Sequence, residues 1–122
     1  MELGRPEEHY QLLDLSYIRE IGQGDIAYER NVAELFLDII PENLSNLERD
    51  IEDEAYGNVK KTLHHMQSSI SIMGFYPKLE QYMEPTVYDD ISAEQIHQNV
   101  EMILAICREA LAEARHYLNS LN

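Results

Sequence analysis

A chain of 122 residues with 44% hydrophobic side chains can fold around one core, and it is too apolar for a disordered acidic tail. Nine Lys and Arg against 23 Asp and Glu give a net charge of −14, which repels nucleic-acid phosphates and anionic bilayers, so neither nucleic acid nor membrane is an expected partner. Gly and Pro are sparse and tryptophan is absent, a composition that favours an all-α protein.

In chain order, residues 1–13 are polar and read as a flexible N-terminal segment, with a helical domain over 14–122. Met1 to Pro6 carries no signal-peptide apolar core, and no apolar run approaches a membrane span, so the expected setting is the cytoplasm. A short helix fits Leu15 to Ile21, with Asp14 as its cap and Gly22-Gln23-Gly24 as its stop. Asp25 opens a long amphipathic segment in which Val32, Leu35, Phe36, Ile39, Leu44, Leu47 and Ile51 recur at helical spacing to about residue 53. Pro41 lies inside it and predicts a kink near Ile40. The next helix runs from about Tyr56 to Met73 and stops at Gly74, and a short one follows over Pro77 to Met83. Residues 85–90 read as a loop. Ser92 and Gln95 form a capping box, after which Ile96, Val100, Ile103, Cys107, Ala110, Ala114 and Leu118 alternate in steps of four and three. Cys107 is the single cysteine and reads as a small core hydrophobe. The expected fold is all-α, an antiparallel up-down four-helix bundle with a short extra N-terminal helix, and the expected state is a monomer.

On a helical wheel, Val59, Leu63, Met66, Ile70 and Met73 fall on one stripe, which must face the core. His64 falls almost opposite, among Gly57, Lys60, Lys61, Gln67, Ser68 and Ser71. His65 is rotated toward the flank, where a side chain packs against a neighbour, while His9, His97 and His116 read as surface residues. An exposed neutral imidazole is a nucleophile near neutral pH and can hold a phosphoryl group covalently. That product needs nearby cations or donors and uncrowded neighbours. Lys60 and Lys61 lie one turn before His64, and Gln67 and Ser68 lie one turn after it.

The segment from Leu63 to Gly74 resembles the signature of histidine-containing phosphotransfer (HPt) domains: His, any residue, Leu, Lys, Gly, Ser, then a Gly ten positions after the His. Met66 stands at the Leu position, and His64 to Gly74 has the spacing. Asp14 to Ile18, Gly24-Asp25, and Leu35-Phe36-Leu37 followed by Pro41 resemble the family's opening, while Leu79 and Glu80 fit its short helix. The resemblance spans about residues 14 to 118. It implies a phosphocarrier rather than an enzyme. His64 would take a phosphoryl group from an aspartate of a response-regulator receiver domain or hybrid histidine kinase and pass it on. It further implies that the receiver holds the magnesium ion, so this chain needs no metal or cofactor of its own. Lys60, Lys61, Gln67, Ser68 and Ser71 would support the phosphoryl group or dock the receiver. Two positions depart from the pattern: the usual Lys is Gln67 and the usual Gly is Ser68.

Two other readings compete. Glu94–His97 and Glu113–His116 have the Glu-x-x-His form used by di-iron bundles, but they sit 19 positions apart on one helix, roughly 28 Å at about 1.5 Å per residue, and cannot share a metal. A degenerate helical adaptor that binds receivers or kinases without carrying phosphate draws its support from Gln67 and Ser68.

Overall fold

The computed structural model describes residues 10–84, 88 and 90–121. Those residues form five α-helices and no strand: α1 (Ser16–Gly22), α2 (Ile26–Glu52), α3 (Tyr56–Ile72), α4 (Tyr76–Met83) and α5 (Ala93–Ser120). Helix α2 packs against both α3 and α5, α3 against α4, and α4 against α5, so α2 to α5 close a ring around one core, with α1 laid on α2. No described helix is long and apolar enough to cross a membrane.

Helix ends follow local chemistry. Asp25 caps α2 by accepting from the N–H groups of Ala27 (2.9 Å) and Tyr28 (3.3 Å), and Ser92 caps α5 by accepting from Gln95 N–H at 3.1 Å. The Gln95 side-chain amide donates to Asn99 Oδ1 at 2.9 Å. The N-cap residue of α1 is Leu15, and Asp14, one residue earlier, accepts from Ser16 N–H at 3.0 Å. Helix α2 runs unbroken through Pro41, which removes one N–H donor from its ladder without ending it.

The core is built from the expected stripes. Val59, Met66, Ile70 and Met73 are fully buried and Leu63 nearly so, and Ile96, Val100, Ile103, Cys107, Ala110 and Ala114 line the inner face of α5. Burial of a side chain of this size stabilises by roughly 1.5–3 kcal/mol. Turning α3 by one residue would expose several at once, so its outer face is fixed by its inner one. Phe36 and Phe75 meet edge to face, with ring centroids 5.8 Å apart, and join α2 to the start of α4.

Residues 10–13, read from the sequence as part of a flexible segment, are tied to α5. The Glu113 carboxylate accepts from the N–H groups of Leu12 (3.1 Å) and Leu13 (3.0 Å), and Tyr10 hydroxyl pairs with His116 Nδ1 at 2.9 Å. Residues 1–9, including His9, and most of the 85–90 loop lie outside the described residues.

Candidate functional site

Helix α3 ends where the chain doubles back against its own beginning. Gly74 has φ +82°, a left-handed conformation, and a β-carbon added there would sit 2.1 Å from the carbonyl oxygen of Asp14. Asp14 N–H donates to the Met73 carbonyl at 3.1 Å, so the segment before α1 crosses the end of α3 in backbone contact. Only glycine meets both demands. The position ten residues beyond His64 therefore has a structural reason to be Gly.

His64 lies on the outer face of α3 and is exposed, as are Lys60, Lys61, Ser68 and Ser71. They do not form one cluster. His64, Lys60 and Lys61 border a cleft of about 290 Å³ that lies between α3 and the side chains of Met83 and Tyr88. Ser68 and Ser71 border hollows on the opposite side, against α1 and α2. His64 therefore faces solvent beside a lysine-edged cleft, with the small serine side chains leading away toward α1 and α2.

Gln67 also borders the cleft but is half-buried, and its side chain is held. Its amide donates to the Tyr76 hydroxyl at 2.9 Å, which in turn donates to the Glu84 carboxylate at 2.6 Å. Loss of water pushes the Tyr76 hydroxyl up to about 12, and its hydrogen bond to the Glu84 carboxylate adds to the shift. Tyr76 therefore stays protonated and keeps donating throughout the neutral range.

His65 was expected to pack against a neighbouring helix. It is exposed instead and lies on the rim of the same cleft, with its ring centroid 6.1 Å from that of His64 and the two planes tilted by 53°. Lys61 and His65, one turn apart on α3, both lie at the edge of the cleft and both are exposed. His97, read as an ordinary surface residue, is half-buried, and its Nε2 pairs with Tyr56 hydroxyl at 3.0 Å. Glu113, His97 and His116 thus already contact backbone N–H groups or tyrosine hydroxyls. No group of three or more His, Cys, Asp or Glu among the described residues is arranged to hold a metal.

Three further side chains frame the serine side of the site. Tyr17 is 51% exposed, Leu35 57% and Ile39 40%, and together with Ile72 they border the hollows that Ser68 joins. Leu35 and Ile39 belong to the apolar repeat of α2 in the sequence but face outward: both lie about 100° or more from the line through Ala33, Phe36, Ile40, Leu44 and Leu47, all of which are buried. Tyr17, on the short α1, gave no such signal. No protein-family model, no curated protein and no solved structure matches this chain.

Proposed function

We propose that this chain is an HPt-like phosphocarrier, an antiparallel up-down four-helix bundle formed by α2 to α5, in which His64 accepts a phosphoryl group from the aspartate of a receiver domain. The observation that carries the reading is the exposed His64 on the outer face of α3, between two exposed lysines and a ledge of exposed apolar side chains.

In the proposed step, a ring nitrogen of neutral His64 attacks the phosphorus of the receiver's aspartyl phosphate. The new P–N bond forms as the P–O bond to the carboxylate breaks, the carboxylate leaves with the bonding pair, and the imidazolium so formed loses its ring proton to solvent. Lys60 and Lys61 sit four and three residues before His64, within reach of the charge that arrives. Ser68 keeps the approach along the helix low. Tyr17, Leu35 and Ile39 supply the exposed apolar surface that a docking partner would cover.

A second reading, an adaptor that binds receivers without being phosphorylated, has one observation in its favour. The family's lysine position holds Gln67, which carries no charge and is engaged with Tyr76. Incubation with receiver domains charged by acetyl phosphate separates the two readings. The phosphocarrier gains acid-labile, base-stable phosphate on this chain, whereas the adaptor binds the receivers and gains none.

A further inference from the structure

Helix α4 is a short bracket whose apolar residues anchor it. Phe75, Leu79 and Met83 are buried in the core, so the residues between and beside them are held in place. Tyr76 opens the helix and Glu84 closes it, with the Glu84 N–H donating to the Glu80 carbonyl at 3.1 Å. Their side chains meet: the Tyr76 hydroxyl donates to the Glu84 carboxylate at 2.6 Å, and the Gln67 amide of α3 donates to the Tyr76 oxygen at 2.9 Å. The sense of this chain is fixed by its last member. A carboxylate only accepts, so the phenolic hydrogen is committed to Glu84 and the Tyr76 oxygen is left to accept. Gln67 can meet that oxygen only with its NH2 end. Tyr76 itself stays protonated, since loss of water and the Glu84 hydrogen bond push its hydroxyl up to about 12. The bond to Tyr76 uses one of the two hydrogens on Gln67 Nε2 and leaves the other for a second acceptor. Gln67 and His64 stand three residues apart, as neighbours on the surface of α3, and they border the same cleft.

We propose that Tyr76 and Glu84 are positioning residues for a phosphoryl group on His64: they hold the Gln67 amide nitrogen beside it, so that the second N–H of Gln67 donates to a phosphoryl oxygen. The inference rests on the phosphocarrier reading, because it concerns the group that phosphotransfer delivers. A phosphoryl group offers strong acceptor oxygens, so an amide that presents its nitrogen helps and one that presents its carbonyl repels. Glu84 decides between the two from two hydrogen bonds away. A free glutamine side chain would lose rotamer freedom on meeting the phosphoryl group, and the bond to Tyr76 removes that loss beforehand. Gln67 then serves as a neutral, pre-aimed donor rather than a mobile cation.

Phosphoramidate is the probe, because it charges a histidine ring without any receiver: its P–N bond breaks as the bond to the ring nitrogen forms, and ammonia leaves. Receivers that fail to charge the parent would sink the phosphocarrier reading, whereas the phosphoramidate-charged chain tests the positioning alone. NMR of the intact chain follows the His64 ring and the Gln67 side-chain amide. In the parent, one Gln67 amide proton moves downfield when His64 is charged; in Tyr76→Phe, which keeps the ring and loses the hydroxyl, it does not. Tyr76→Phe and Gln67→Ala each shorten the lifetime of phosphate on His64 about fivefold, the scale of one neutral hydrogen bond. Glu84→Gln, which keeps the size but lets the amide reverse, shortens it too. The double variant Gln67→Ala/Tyr76→Phe loses no more than Gln67→Ala alone, because Tyr76 acts through Gln67, whereas a general loosening of the fold would multiply the two losses. The proposal is overturned if the Gln67 amide does not respond to phosphate on His64, if Tyr76→Phe or Glu84→Gln leaves the lifetime unchanged, or if the losses multiply in the double variant.

Discussion

Lys60 and Lys61 are the cations nearest along α3 to a phosphoryl group on His64, since Gln67 is neutral and its amide is turned to Tyr76. Exposed charge interactions of this kind contribute about 0.2–1 kcal/mol each and weaken with salt. Lys60→Gln/Lys61→Gln should therefore slow transfer or shorten phosphohistidine lifetime by a few-fold at low salt and by less at high salt, measured with one charged receiver. Equal rates and lifetimes at low salt would remove the lysines from the account. The outward position of His64 was legible in the sequence, because Val59, Leu63, Met66, Ile70 and Met73 leave it only one side of the helix. The surroundings of Gln67 and His65 were not. The first depends on Tyr76 and Glu84 from another helix, and the second on an open edge of α3; neither is written into the local pattern.

At the scale of the element, the glycine that ends α3 matters more than its sequence role as a stop signal suggested. Its spacing from His64 was readable, whereas the crossing of Asp14 over Met73 and Gly74 joins segments far apart in the chain and left no periodic trace. Gly74→Ala imposes both a left-handed backbone on a residue with a β-carbon and a clash with the Asp14 carbonyl. It should cost about 2–4 kcal/mol in urea unfolding, the sum of backbone strain and overpacking. A loss under about 0.5 kcal/mol would mean that the crossing is not held as described. Asp25 supports only two N–H groups at one helix end, so Asp25→Ala should cost about 1 kcal/mol. The apolar repeat of α2 is broader than its buried line, so spacing alone does not separate the exposed Leu35 and Ile39 from the buried Phe36 and Ile40.

For the whole molecule, the all-helical class and the inner stripes of α3 and α5 followed from periodicity alone, while the closing of the ring by α4 against α5 did not. Burial of titratable groups within that ring sets a pH limit. Lack of water pushes the Cys107 thiol and the Tyr88 hydroxyl each up to about 12. Both groups are neutral in the fold, and their ordinary values are lower, so the unfolded chain gains more from ionisation as pH rises. Their contribution to stability is intact below about pH 9 and is lost progressively between about 9 and 12. Urea midpoints measured from pH 7 to 11 should fall over that window; a flat profile would contradict the burial of both groups. Cys107, fully buried, should likewise resist a disulfide reagent in the native protein at pH 8 and react at once when unfolded.

The central claim rests on which histidine takes the phosphoryl group. Parent, His64→Ala and His65→Ala chains, each shown by circular dichroism to keep the helical fold, are incubated with the same charged receiver and assayed for acid-labile phosphate. Phosphate on the parent and on His65→Ala, with none on His64→Ala, is the predicted result. Undiminished phosphate on His64→Ala, or none on a parent chain that binds the receiver, would contradict the account.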